Sequence, residues 1–469
     1  MSYLNRLLAG AALSTAAGLA LAAQHATVRL DYMHTGNALN ESYAMEQVVI
    51  EPLPWPGDMS KTIDTTNRGV NKVEVADAKT GKVLYTRGFS TVFVEWKSTE
   101  EAGKLTRGFH ESVRFPKPDR PVKVRILKRD ERNEFSVVWS VDVDTDAMDV
   151  VRKQEPAPAK PIPIRVNGPS EKKVDLLILG DGYTKADMAK FEAAARRLSD
   201  YLFTVSPFKE RAKDFNVWAM AVPTQESGVS RPSTNTYHSS KLGTRYDIFG
   251  SERYVLTVDN RALREIAQYA PYEFIEILVN NDTYGGGGIF GQFSTAAADN
   301  DWANYLFVHE FGHHFAGLAD EYYTSPVAYA TGGARMEPWE PNVTALLDPA
   351  NVKWKKFVTP GTALPTEWPK AEYEAHSREY QKVRAQLRKD NRPESEMSKL
   401  FKEDLAWTNA LFSKAPNRKA VGAFEGANYE ATGYYRSQQQ CLMFDRSEAF
   451  CAVCSDAVQE TIDLYAPRP

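Results

Sequence analysis

The sequence predicts an α+β protein, with an N-terminal β-sandwich module followed by a mixed α/β domain. Three observations carry that prediction. Polar and apolar residues alternate in short runs from about residue 26 to 149, prolines crowd residues 154–164, and beyond them short apolar strands alternate with helical periodicity. A length of 469 residues also exceeds what one core usually organises.

In chain order, Leu7 to Ala23 is an apolar stretch of Leu, Ala and Gly preceded by one positive charge. This is the pattern of a signal peptide over residues 1–23, with cleavage sites at Ala20, Ala22 and Ala23, and it predicts an exported protein. No other segment is apolar enough to span a bilayer. Residues 24–150 form the predicted sandwich module. Thr27–Tyr32, Val122–Leu127 and Phe135–Val143 alternate as half-buried strands, and Ala78-Lys-Thr-Gly81 breaks the run Val73–Tyr85 into a hairpin. The prolines place an extended linker at residues 151–169.

Residues 170–469 form the second predicted domain. Val174–Leu179 is a short apolar strand, Gly180–Thr184 turns the chain, and Lys185–Phe203 has helical periodicity with Thr184 as N-cap. Phe215–Val222 and Phe274–Asn280 are further strands. Residues 367–413, dense in Lys, Arg and Glu, predict a solvated helical insertion. The composition, 43% hydrophobic and 25% charged, is that of a globular protein. A net charge of -4 with interspersed signs provides no basic field for nucleic acid.

The chemistry is carried by Asp301–Tyr323, which contains His309-Glu310-Phe-Gly-His313. Two histidines four apart share one helical face, where both imidazoles can hold one metal ion. Glu310 projects beside them, placed to take a proton from an activated water and deliver it to a leaving amine. This is the HExxH logic of a zinc-dependent hydrolase. Only eight histidines are available to form it by chance. The apolar residues Tyr305 to Val308, Phe311, Phe315 and Leu318 would bury the helix and hold its ligands rigidly.

A catalytic zinc takes a third protein ligand. On a continuous helix Asp320 would lie about 16 Å along the axis from His309, so the chain must turn, and Gly317 permits it. Asp320 or Glu321 can then reach the ion, with a more distant Glu or His238 as the remaining options; the loser would support the loop or an imidazole. His314 points off this face. The glycine run Gly285–Gly288 reads equally as a mobile loop or as an edge that a substrate backbone approaches, with Gly287 a possible contact. Cys441, Cys451 and Cys454 predict one local disulfide and a leftover thiol, the alternatives being three buried thiols or a structural metal site using Cys451 and Cys454.

The stretch His309-Glu-Phe-Gly-His-His-Phe-Ala-Gly-Leu-Ala-Asp-Glu-Tyr322 resembles the IgA-peptidase family of zinc metallopeptidases, and it looks like a metzincin motif with one residue inserted before Gly317 and Asp320. Val174–Thr184, Tyr284–Gly291 and Gln440–Phe444 with Phe450–Cys454 also resemble that family. The resemblance covers most of residues 170–469, and the preceding module is similar to the family's N-terminal domain. It implies a metzincin-like catalytic domain, one catalytic zinc, Met443 as the Met-turn beneath it, and protein or peptide substrates. Asp445 stands where some metzincins place an oxyanion-assisting Tyr, which leaves Tyr434, Arg436 and Arg446 as candidates for that task. Nothing in the sequence specifies an IgA hinge over another protein. The competing readings are another metal-dependent hydrolase on the same motif and a non-catalytic, zinc-containing surface or glycan-binding protein. An intact Glu310 argues against the last, because a structural site has no use for that carboxylate.

Overall fold

The computed structural model describes residues 25–153, 155–327 and 335–466. The expected leader, residues 1–23, lies outside them. The first module contains β1 (Ala26–Gly36), β2 (Glu41–Pro54), β3 (Asn71–Asp77), β4 (Val83–Phe89), α1 (Val92–Lys97), β5 (Arg107–Pro116), β6 (Val122–Arg129), β7 (Phe135–Val143) and β8 (Val151–Arg152). They form two four-stranded sheets, ordered β5-β1-β2-β8 and β4-β3-β6-β7. In β6 Val122, Val124 and Ile126 are buried while Lys123 and Arg125 are half-buried, the alternation of a strand with one core face. These residues meet Val28, Leu30 and Tyr32 of β1 and Val73 and Val75 of β3 in one core, so the sheets are the layers of a sandwich. Each such side chain contributes about 1.5–3 kcal/mol on full burial. Helix α1, capped by the Thr91 hydroxyl accepting from the Val94 N–H, buries Phe93 and Trp96 against Phe109.

The expected linker, residues 151–169, is paired as strands toward both ends, while residues 155–161 between them form no helix or strand. Val151–Arg152 pairs parallel to β2 and completes a sandwich sheet, and Ile162–Arg165, β9, pairs antiparallel with β11 (Phe215–Ala221) in the next domain. Proline donates no backbone hydrogen bond, but an edge strand needs donors on one side only.

The second domain is built on a six-stranded sheet ordered β13-β14-β12-β10-β11-β9. It uses β10 (Val174–Asp181), β12 (Phe274–Val279), β13 (Gly286–Ile289) and β14 (Phe293–Ala297), with α2 (Met188–Leu202) and α3 (Asn260–Ala267) between them in sequence. Strands β10, β11, β12 and β14 run parallel, and β9 and β13 are antiparallel edges. Every residue of β10 is buried, as a central parallel strand requires. Leu176 and Ile178 face a core shared with α2, α4 (Ala303–Ala316) and the C-terminal helix, while Leu177 and Leu179 face a second core with α3. Thr184 and Asp187 form a capping box at the entry to α2.

After α4 come β15 (Val343–Thr344), α5 (Lys370–Lys389), α6 (Glu394–Ser413), β16 (Phe424–Ala427), β17 (Glu430–Arg436) and α7 (Ala452–Tyr465). Helices α5 and α6 form the expected hairpin, but it is not merely solvated: Tyr373, Tyr380, Phe401 and Phe412 are buried in the main core. Their wide sequence spacing hides this stripe among charged residues. The hairpin β16–β17 closes on Asn428 and Tyr429, both left-handed at φ 54° and 64°, the geometry of a two-residue type I′ turn. No helix among the described residues is long and apolar enough to cross a membrane.

Candidate active site

Helix α4 lies on β13 and β14 with Phe307, Phe311 and Phe315 in the core, which leaves the His309, Glu310 and His313 edge facing a cavity of about 480 Å³. It ends at Gly317, left-handed at φ 62° and ψ 38°, whose N–H bonds back to the carbonyls of Gly312 and His313. A Cβ on Gly317 would also lie 2.7 Å from the Trp339 ring. The turn carries Asp320 back under the helix. Its Oδ1 lies 3.0 Å from His309 Nε2 and 3.3 Å from His313 Nε2, and the two Nε2 atoms are 3.2 Å apart.

The other ring nitrogens explain this convergence. His309 Nδ1 is 3.0 Å from the Leu442 carbonyl, and His313 Nδ1 is 2.6 Å from the Leu318 carbonyl. A carbonyl only accepts, so each Nδ1 carries the proton and each Nε2 offers a lone pair toward the other. Asp320 Oδ1 is buried and lacks a hydrogen bond. Two bare imidazole nitrogens and an orphaned carboxylate oxygen, mutually separated by the spacing of ligands around one ion, fit a divalent metal. Without one, a proton on His313 Nε2 takes its place beside the carboxylate: burial would depress His313, but Asp320 and Glu310 outweigh it and hold it at about 9. For Asp320 burial acts upward, and the two histidines override it to hold the carboxyl well below its ordinary range.

Glu310 reaches within 4.8 Å of both histidines. Burial holds its carboxyl above the ordinary range despite the neighbouring imidazoles. The glycine strand decides how close it sits: a Cβ on Gly286 would lie 2.9 Å from Glu310 Cγ, and one on Gly288 would lie 2.5 Å from the Glu310 carbonyl oxygen. Gly286 and Gly288 line the cavity, whereas a Cβ on Gly287 would meet Leu256 and Tyr254 and Gly287 is not among the lining residues. The run is thus a buried strand that lets α4 approach, and Gly286 and Gly288 rather than Gly287 line the cavity because strand residues alternate faces.

The remaining sequence candidates separate. Met443 is buried with its Sδ 3.1 Å from where a Gly312 Cβ would stand, beneath α4. Tyr434 lines the cavity. Arg436 does not: it is fully buried, its guanidinium over Trp368 and Phe444, bonded to the Gly426 carbonyl. Arg446 packs over Phe401 and pairs with Asp404. His238 lies elsewhere beside Glu226. His314 accepts from the Ile275 N–H and bonds the Ile289 carbonyl; burial pushes it down to about 3, so it pins α4 to the sheet as a neutral ring. Glu321 points away from the histidines: its Oε1 accepts from Asn342 and faces three cysteines. The expected local disulfide is absent. Cys441, Cys451 and Cys454 are free and buried, with the sulfurs of Cys441 and Cys454 3.6 Å apart.

Other residues in the site carried no sequence signal. Tyr429, from the β16–β17 turn, donates its hydroxyl to Asp320 Oδ2 at 2.5 Å, and Tyr305 Oη lies 3.1 Å from His309 Nδ1. Arg253 sits in the cavity over the Tyr322 ring, 5.2 Å from its centroid. The cavity is also lined by Val94, Glu95 and Ser98 of the first module. A tyrosine in a polar hairpin reads as nothing in particular; only its left-handed φ marks it.

A HExxH helix, a returning aspartate and a bare-nitrogen pair beside a cleft define a metal-dependent hydrolase arrangement. A family profile described as IgA Peptidase M64 matches residues 162–462, and one described as Peptidase M64 N-terminus matches residues 20–140. The chain belongs to the IgA peptidase M64 family and is a peptidase, acting on protein or peptide substrates. No curated protein matches it.

Proposed function

We propose that the chain is an exported, zinc-dependent endopeptidase with a metzincin-like catalytic domain, in which Glu310 is the general base. One observation carries the reading: His309 Nε2, His313 Nε2 and Asp320 Oδ1 stand 3.0–3.3 Å from one another with Glu310 beside them. Nitrogen and oxygen donors of this kind suit zinc, which when bound supplies a Lewis acid that polarises the scissile carbonyl and acidifies a water. Glu310 takes the proton of that water and passes it to the leaving amine. Its buried carboxyl, held above the ordinary range, suits a group that must both accept and return a proton near neutrality. Asp320 turns Oδ1 to both histidines while Glu321 faces the cysteines, which favours Asp320 as the third ligand.

Arg253, Tyr322 and Tyr434 are among the cavity groups able to donate to the oxygen that gains charge. Gly286 turns its backbone groups away from β14, bonding Arg253 and Val255. The period of two turns those of Gly288 the same way, off β14, and because Gly288 lines the cavity an extended substrate can add to this edge strand.

The test compares wild type with Glu310→Ala on a mixture of denatured proteins, with metal content measured on both. The expected outcome is cleavage by wild type, loss of at least about a thousandfold in the variant, and equal metal content. Cleavage by the variant at the wild-type rate, or none by either, would sink the proposal.

A further inference from the structure

We propose that Glu321, Cys441, Cys451 and Cys454 form a second, structural metal site, a closed S3O cage for zinc distinct from the His309, His313 and Asp320 group. One ligand atom from each of the four lies within 4.8 Å of all the others. Cys441 Sγ is 3.6 Å from Cys454 Sγ, and Glu321 Oε1 is 3.3 Å from Cys454 Sγ and 3.8 Å from Cys451 Sγ. A tetrahedral zinc with Zn–S of about 2.3 Å and Zn–O of about 2.0 Å separates its sulfurs by about 3.8 Å and sulfur from oxygen by about 3.5 Å. The three separations match those spacings, and the remaining ones fall within 4.8 Å.

The surroundings are those of thiolates. All four residues are buried, and Glu321 Oε2 has no hydrogen-bond partner. Backbone N–H groups of Met443 and Cys451 point at Cys441 Sγ, at 3.5 and 3.2 Å, and that of Cys454 points at Cys451 Sγ at 3.3 Å. Cys451 is the N-cap of α7, so the positive end of that helix faces the cluster. A disulfide between Cys441 and Cys454 would account for two sulfurs but would leave a carboxylate, balanced by the Asn342 amide and the Arg436 charge, facing a third thiol in the core. A cation accounts for all four, at the release of their protons. With four protein ligands no coordination position is open, so the site holds structure: the Glu321 N–H bonds the Met443 carbonyl at 2.9 Å, and the ion would tie the Asp320 loop to the Met443 turn and to α7.

The proposal does not rest on the peptidase reading, and its test avoids activity. The full chain carrying His309→Ala and His313→Ala is purified, its metal is quantified by mass spectrometry, and cobalt(II) is then exchanged in. One zinc per chain is expected, giving thiolate-to-cobalt charge-transfer bands that Cys454→Ser abolishes. Because Cys454→Ser can fail to fold, thiols are also counted in wild type unfolded with chelator and no reductant. Three reactive thiols with bound metal support the site. One thiol, reporting a disulfide, or three thiols with no metal beyond the histidine site, overturns it.

Discussion

At the scale of single residues, the site contains side chains that orient others. Asp320 can present Oδ1 to the histidines because Tyr429 holds Oδ2, and Tyr429 reaches it from a backbone in the left-handed region, which costs a bulky side chain of order 1 kcal/mol. Strain kept at a contact to a proposed metal ligand is a sign that the contact is used. Tyr429→Phe keeps the ring and removes the donor. On the proposed zinc reading, the expected result is a fall of about ten- to a hundredfold in zinc affinity, measured by chelator competition, with catalysis restored by excess zinc. Unchanged affinity would mean that the hydroxyl only fills space.

Elements, in turn, are positioned by how closely they can approach. Strand β13 touches α4 because Gly286 and Gly288 have no Cβ to meet Glu310, and α4 ends where Gly317 leaves the right-handed region. The sandwich holds a comparable device. His34 on β1 is buried between Glu111 of β5, 3.1 Å from its Nδ1, and Glu41 of β2, 3.7 Å from its Nε2, with Tyr43 and Phe93 stacked on its faces. Burial would lower its pKa, but the two carboxylates outweigh burial and raise it above 6.5. Its stabilising contribution is therefore complete below pH 6.5 and is lost as pH rises through the raised value. Glu41, which also faces Lys97 and Lys128, is held down despite burial, so its contribution is complete above 4.5 and is lost on acidification below that. Thermal unfolding followed from about pH 5 to about pH 8.5 should show the midpoint fall on the alkaline side in wild type, and less so in His34→Gln. Parallel curves would exclude His34 as the cause.

For the whole molecule, the two modules share one functional surface. Residues of α1 line the cleft, and the modules are locked by buried polar contacts. Arg68 donates to the Ala457 carbonyl, Thr461 and Glu460 on α7, and Arg114 donates to the Tyr272 carbonyl. Arg68→Ala removes all three α7 bonds and leaves a void where a guanidinium was enclosed. The expected loss is about 2 kcal/mol in denaturant unfolding, with the midpoint shifted rather than the transition split. A split transition would show instead that the modules unfold independently.

What the sequence determined by itself is what short-range geometry encodes. Strand periods, the capping box at Thr184, the four-residue spacing of His309 and His313, and the need for a turn at Gly317 all act within one or two helical turns or a single strand. There the covalent chain sets which side chains share a face. The charged surface of α5 and α6 concealed a buried aromatic stripe, and the prolines concealed two edge strands, because composition reports solvation more clearly than pairing. Only the tertiary structure decided which of two adjacent carboxylates turns toward the histidines. Asp320 and Glu321 are equivalent by spacing, and their directions follow from partners more than a hundred residues away: Tyr429 for one, Cys451 and Cys454 for the other. Contacts closed over such loops leave no periodicity in the chain, since they are fixed by packing of whole elements.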